Sequence, residues 1–165
     1  MLRVVELISK GAWMGPAADT VILNFHDRHR RRMRMTGCNG VDLLLDLERA
    51  TTLRDGDGLL LEDGSIVSVK ASKEPLLSIT CDDPIHLARI AWHLGNRHLP
   101  TQIDGSRILI RKDHVIADMV TGLGGHCLLV DDIFDPEGGA YGEGGGGHHH
   151  HHDDDGNDSG HHHHG

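Results

Sequence analysis

The chain has 165 residues, enough for one ordinary domain or two small ones. Its formal net charge is −9 with histidines neutral, and aromatics make up only 3% of it. That charge argues against a nucleic-acid partner, whose binders need basic patches to displace counterions, and the scarcity of rings leaves the core to Leu, Ile, Val and Met.

Five acids, Glu143, Asp153, Asp154, Asp155 and Asp158, lie near the C-terminus, so the part expected to fold is much less acidic than the total. The three cysteines, Cys38, Cys81 and Cys127, are too few and too scattered for a disulfide framework or a CxxC zinc site. They suit a reducing compartment. The opening "MLRVVELISKGAWM" is broken by Glu6 and Lys10 and lacks the apolar centre of a signal peptide. No apolar run approaches membrane-spanning length. The expectation is a cytoplasmic protein with no membrane partner.

The first elements read as strands. "TVILNF" is a short apolar run, and "RRMRMT" alternates charge with methionine at the period of a half-exposed strand. "GCNG" supplies turn chemistry before "VDLLLDL", so Arg31–Leu47 reads as a hairpin. "LRDGDGLLLEDGSIVSVKA" adds two strands joined by "EDG". No helical period of useful length appears before Pro75.

After Pro75 the pattern changes. "LLSITC" reads as a strand and "DDPIHLARIAWHLG" as a helix. Asp83 can cap that helix, Pro84 fits its first turn and Gly95 its exit. Ile85, Ala88, Ile90 and Ala91 offer a partly apolar face. "TQID" and "RILI" flank a Gly-Ser turn. "DHVIADMVTGLG" repeats the helix logic, with Asp113 as cap and Val115, Met119 and Val120 as apolar positions. "CLLV" closes as a strand. The order β-α-β-β-α-β is that of a ferredoxin-like sandwich. The fold class expected is therefore α+β: a β-rich unit over 1–73, a ferredoxin-like unit over 74–142, and a tail over 143–165. The tail is too poor in apolar residues to fold and is expected to be disordered without metal.

Sixteen histidines are present, nine of them in two tail clusters. One cluster is His148, His149, His150, His151 and His152; the other is His161, His162, His163 and His164. Imidazole is a borderline ligand for nickel, copper and zinc, and is largely neutral near pH 7. A purification tag is the competing origin of such a run. The split into five and four, the intervening "DDDGNDSG" and the final glycine argue against it.

His98, in "HLGNRHLP", is the sharper candidate. It projects from a helix exit between Gly95 and Pro100. On spacing alone it reads as a surface histidine favoured by the helix dipole. His114 opens the second helix, where a ligand and an incidental histidine are equally good readings. His86 and His93 are read as packed and hydrogen-bonded, and no HExxH is present. His126 stands directly beside Cys127, which is not chelating spacing. His26 and His29 flank a basic run and are read on a solvated face. Catalysis finds little support: "GLGG" lacks a Walker lysine, and "DGDG" lacks the rest of a calcium loop.

"WHLGNRHLPTQI", "DHVIADMVTGLG", "FDPEGGAYG" and the histidine-rich end together resemble the UreE family of urease accessory proteins, which are nickel metallochaperones. "LRDGDGLLLEDGSIVSVKASKEPLL" is similar to the end of that family's N-terminal domain. The resemblance covers nearly the whole chain and is weakest over the first thirty residues. It implies an N-terminal domain like a chaperone peptide-binding domain and a C-terminal metal domain. It also implies a homodimer in which His98 of both subunits holds one Ni²⁺, and this reverses the surface reading of that residue. The UreG GTPase and the urease activation complex are the implied partners. Some members carry a second histidine two residues before the one matching His114; Lys112 stands there instead, which weakens any secondary site around His114.

The expected function is a non-enzymatic one, delivery of Ni²⁺ to apo-urease, with Zn²⁺ and Cu²⁺ able to compete. A histidine-rich storage or buffer protein is the alternative. A metal-dependent hydrolase and a peptide-binding chaperone led by the first domain are more distant rivals.

Overall fold

A computed structural model describes residues 1–138. The expectations for His148 to His152 and His161 to His164 lie outside the described residues. The described chain is α+β and strand-rich, with two sheets. Among the described residues no helix is long and apolar enough to cross a membrane.

The first sheet holds β1 (Leu2–Ile8), β2 (Asp19–Leu23), β3 (His29–Thr36), β4 (Asp42–Thr52), β5 (Gly58–Leu61) and β6 (Ile66–Ala71). Their order is β2-β6-β5-β1-β4-β3. β1 joins its two halves, running antiparallel to β5 and parallel to β4. The hairpin expected from "RRMRMT" is β3 with β4, where Met33 faces Leu45 and Met35 faces Leu43. Strand alternation sends both methionines inward and leaves Arg32 and Arg34 outside. Val21, Leu43, Leu45, Leu59, Leu61, Val67 and Val69 fill this core.

The turn after β3 is held by a buried carboxylate. Asp19 is 2% exposed and accepts backbone N–H bonds from Thr20 (2.7 Å), Asn39 (2.9 Å) and Val41 (3.0 Å). Burial alone would raise its carboxyl, but these donors outweigh burial and hold it below the ordinary aspartate value. Gly37 lies against the same carboxylate, so any Cβ there would collide with it.

The second sheet holds β7 (Lys73–Thr80), β8 (Gln102–Asp104), β9 (Arg107–Arg111) and β10 (His126–Ile133). Its order is β10-β7-β9-β8 with every neighbouring pair antiparallel. Two helices, α2 (Pro84–Asn96) and α3 (His114–Gly122), complete the ferredoxin-like β-α-β-β-α-β order. Asp83 caps α2 by accepting from His86 N, and Asp113 caps α3 by accepting from Val115 N and Ile116 N. Leu77, Ile79, Ile108 and Ile110 of the sheet meet Ile90, Leu94, Ile116 and Val120 of the helices.

Three details depart from the expectation. The inward stripe of α2 is Leu87, Ile90, Ala91 and Leu94, whereas Ile85 is 68% exposed. In α3 the inward residues are Ile116 and Val120, and Val115 is 59% exposed. Gly95 is not the exit: α2 runs through Asn96, and the left-handed residue behind it is His98.

The two sheets meet at a small seam. Leu76, Leu109 and Phe134 are buried there against Phe25 and Val130. Phe25 belongs to α1 (Phe25–Arg28), a single turn between β2 and β3. Arg28 is fully buried and donates to the carbonyls of Leu53 (3.3 Å) and Phe134, one from each side. Burial pushes its guanidinium below the ordinary value, while Glu74, Asp135 and Asp55 oppose that shift.

Candidate metal centre

His98 owes its position to how α2 ends. Arg97 is the C-cap, and its N–H returns to the Leu94 and Gly95 carbonyls. His98 then adopts φ 55° and donates its N–H to the Gly95 carbonyl at 3.1 Å. It has the only positive φ outside glycine among the described residues. Left-handed geometry opposes Cβ to the neighbouring carbonyl and costs an ordinary residue about 1 kcal/mol. The corner is braced on both sides: Arg97 Nε donates to Met119 Sδ at 2.9 Å, and Leu99 packs on the helix–sheet core. The His98 imidazole is exposed and makes no hydrogen bond, ion pair or ring contact among the described residues. An unengaged imidazole on a rigid corner is chemically free to ligate a borderline cation.

His98 lines a cleft of ≈ 710 Å³ at the seam between the sheets. Leu99, Pro100, Arg111 and Glu137 line it on the side of the second sheet, and Phe25, His26, His29, Thr52 and Arg54 on the other. Arg54 is paired with Asp135 and donates to the Pro136 carbonyl at 3.1 Å. Arg111 lies over the Phe25 ring, 5.4 Å from its centroid.

The other histidines are scattered. His114 is the first residue of α3, exposed, and does not line the His98 cleft. His86 Nε2 meets the Leu123 carbonyl, as the packed, hydrogen-bonded reading expects, whereas His93 shows a ring contact with the adjacent Trp92. His126 Nε2 pairs with Asp82 at 3.0 Å. The thiols of Cys81 and Cys127 are both pushed up, chiefly by burial, which disfavours the metal-binding thiolate. No three His, Cys, Asp or Glu residues stand together as a metal-holding group among the described residues. His26 and His29 are exposed, as the sequence suggests, but they share the His98 cleft. Their spacing of three residues, one helical turn, was the available signal.

Fold and site define a two-sheet α+β protein whose ferredoxin-like half presents an unengaged histidine at a strained helix end. The family model for the UreE urease accessory protein N-terminal domain matches residues 4–72, and that for its C-terminal domain matches residues 74–164. A urease accessory protein UreE of Rhodopseudomonas palustris (strain HaA2) is 60% identical over 141 residues, covering 86% of this chain and 66% of the relative. That of Bradyrhizobium sp. (strain ORS 278) is 56% identical over 143 residues, covering 87% and 68%. That of Rhodobacter capsulatus is 43% identical over 144 residues, covering 87% and 89%. The chain thus spans about two thirds of the length of the first two relatives. It belongs to the UreE urease accessory protein family.

Proposed function

We propose that this protein carries Ni²⁺ in the cytoplasm and hands it to apo-urease during assembly of the urease active site. The observation that carries this reading is His98: an exposed, unengaged imidazole, held on a braced and strained corner, in a chain of this family. One imidazole is a poor holder of an ion, and nothing else within the described chain completes a shell. A two-fold axis supplies a second copy without further sequence. The surface for that axis is the outer side of α2, where Ile85 (68% exposed) and Trp92 (64% exposed) stand one stripe away from the core face.

The division of labour follows from ligand chemistry. The histidine clusters of the tail capture several ions at modest affinity. The His98 pair holds one ion in a shell left partly open to water. An open shell can be entered by the ligands of an acceptor, whereas a closed four-ligand site could not. UreG and the urease activation complex are the acceptors in this scheme. Zn²⁺ and Cu²⁺ compete in the test tube, because imidazole alone does not prefer nickel over copper. His114 is at most an auxiliary ligand.

The test compares a chain truncated after Gly142 with His98→Ala. Urease maturation should fall in the truncated chain only when nickel is scarce, and in His98→Ala at every nickel level. If truncation under ample nickel is as damaging as His98→Ala, the tail is the working site and the protein is a store.

A further inference from the structure

We propose that His26 and His29 form a second binding point for a borderline divalent cation, on the first sheet's side of the cleft that His98 lines. The proposal rests on the nickel reading of His98 and adds a place on the other side of the seam for the ion to go.

Three observations carry it. First, His26 lies in α1 and His29 is the residue that caps it, three positions further on. Both line the cleft. Second, the His29 ring is held in one pose. Its Nδ1 is 2.7 Å from Thr52 Oγ1, and the ring stacks on Phe25 at 6.1 Å and 15°. Imidazoles that bind metal are commonly fixed this way, with one nitrogen tied to an oxygen and the other left to ligate. Nε2 of His29 has no partner among the described residues. Third, α1 is a rigid mount. Asn24 caps it by accepting from Asp27 N at 2.9 Å, Phe25 N donates to Glu74 Oε2 at 2.8 Å, and Arg28 is buried beneath.

The surroundings set the strength. Arg54 and Arg111 line the same cleft but are engaged with Asp135 and with the Phe25 face. Their charge opposes a cation, and only two imidazoles are offered, so water fills the rest of the shell. Such a site binds loosely and exchanges quickly, as a transit point must. His98 lines the same cleft.

The experiment uses the full chain and footprints each histidine with diethyl pyrocarbonate, read by mass spectrometry, with and without Ni²⁺ or Zn²⁺. His26 and His29 should label readily without metal. At an ion concentration about ten times the half-protection value, their labelling should fall about tenfold. His26→Ala, an exposed change, should raise the ion concentration needed to protect His29 at least severalfold. Protection of His98 without protection of His26 and His29 overturns the proposal and leaves the nickel reading standing. Protection of His26 and His29 without His98 supports it and removes the nickel reading of His98. Unchanged protection of His29 in His26→Ala, or protection by inorganic phosphate but not by either metal, also overturns it.

Discussion

At the scale of single residues, His98 occupies a backbone corner for which glycine is the low-energy choice. The strain gives a measurable signature. His98→Gly should raise the stability of the fold by about 1 kcal/mol while abolishing binding of Ni²⁺ at the helix end. His98→Ala should abolish binding without the gain in stability, since alanine keeps the Cβ. Calorimetric unfolding of the two variants separates strain from ligation; equal midpoints would show that the corner is relaxed. The sequence located His98 but set the left-handed turn at Gly95. "LGNRH" contains two acceptable ends, and the choice is made by Leu94 and Leu99, which must both reach the core and so fix the helix length. Asp19 was not legible at all. Its partners are backbone N–H groups of residues 39 and 41, some twenty positions away, and no local pattern marks a carboxylate that caps a distant turn.

At the scale of elements, the basic run from Arg28 to Arg34 hides one residue of a different kind. Arg32 and Arg34 point toward water from β3, as alternation requires, and Arg30, across a break in the register, is half-buried, whereas Arg28 is sealed in the seam. Replacing it with methionine keeps the bulk but removes the donors to Leu53 and Phe134. The carbonyls stay buried, so the change should cost about 2–4 kcal/mol, seen as a lower urea midpoint. A neutral Arg28→Met would mean that water reaches those carbonyls. The helices show the same limit of pattern reading. Their existence, caps and order were plain from Asp83-Pro84 and Asp113. Their phase was not, because α2 carries two apolar stripes and the reading merged Ile85 with Ile90.

At the scale of the molecule, the β-rich first part and the ferredoxin-like order were readable because strand alternation and helical period are strong, local signals, but β1, which joins the halves of the first sheet, was not read as a strand. The juxtaposition of His26 and His29 with His98 was not readable, since it depends on how one sheet sits against the other. The outer stripe of α2 likewise is read only through the dimer proposed above. Trp92→Asp places a charge on that stripe without touching the core. If the proposed dimer forms on this stripe, sedimentation should show it shifting toward monomer, and nickel binding at His98 should fall with it. Truncation of such an anchor to alanine should cost about 2–4 kcal/mol of association. A dimer indifferent to both changes would place the axis elsewhere.

The stretch that leaves the second sheet is pinned before the described chain ends. Asp135 N donates to Gln102 Oε1 at 3.0 Å, and Glu137 N to the Thr101 carbonyl at 2.8 Å. Gly138, at the rim of the His98 cleft, is therefore a fixed origin for everything that follows it. Under the proposed function, the histidine clusters that follow in the sequence belong to the same molecule as His98, so the handover between them needs no second encounter.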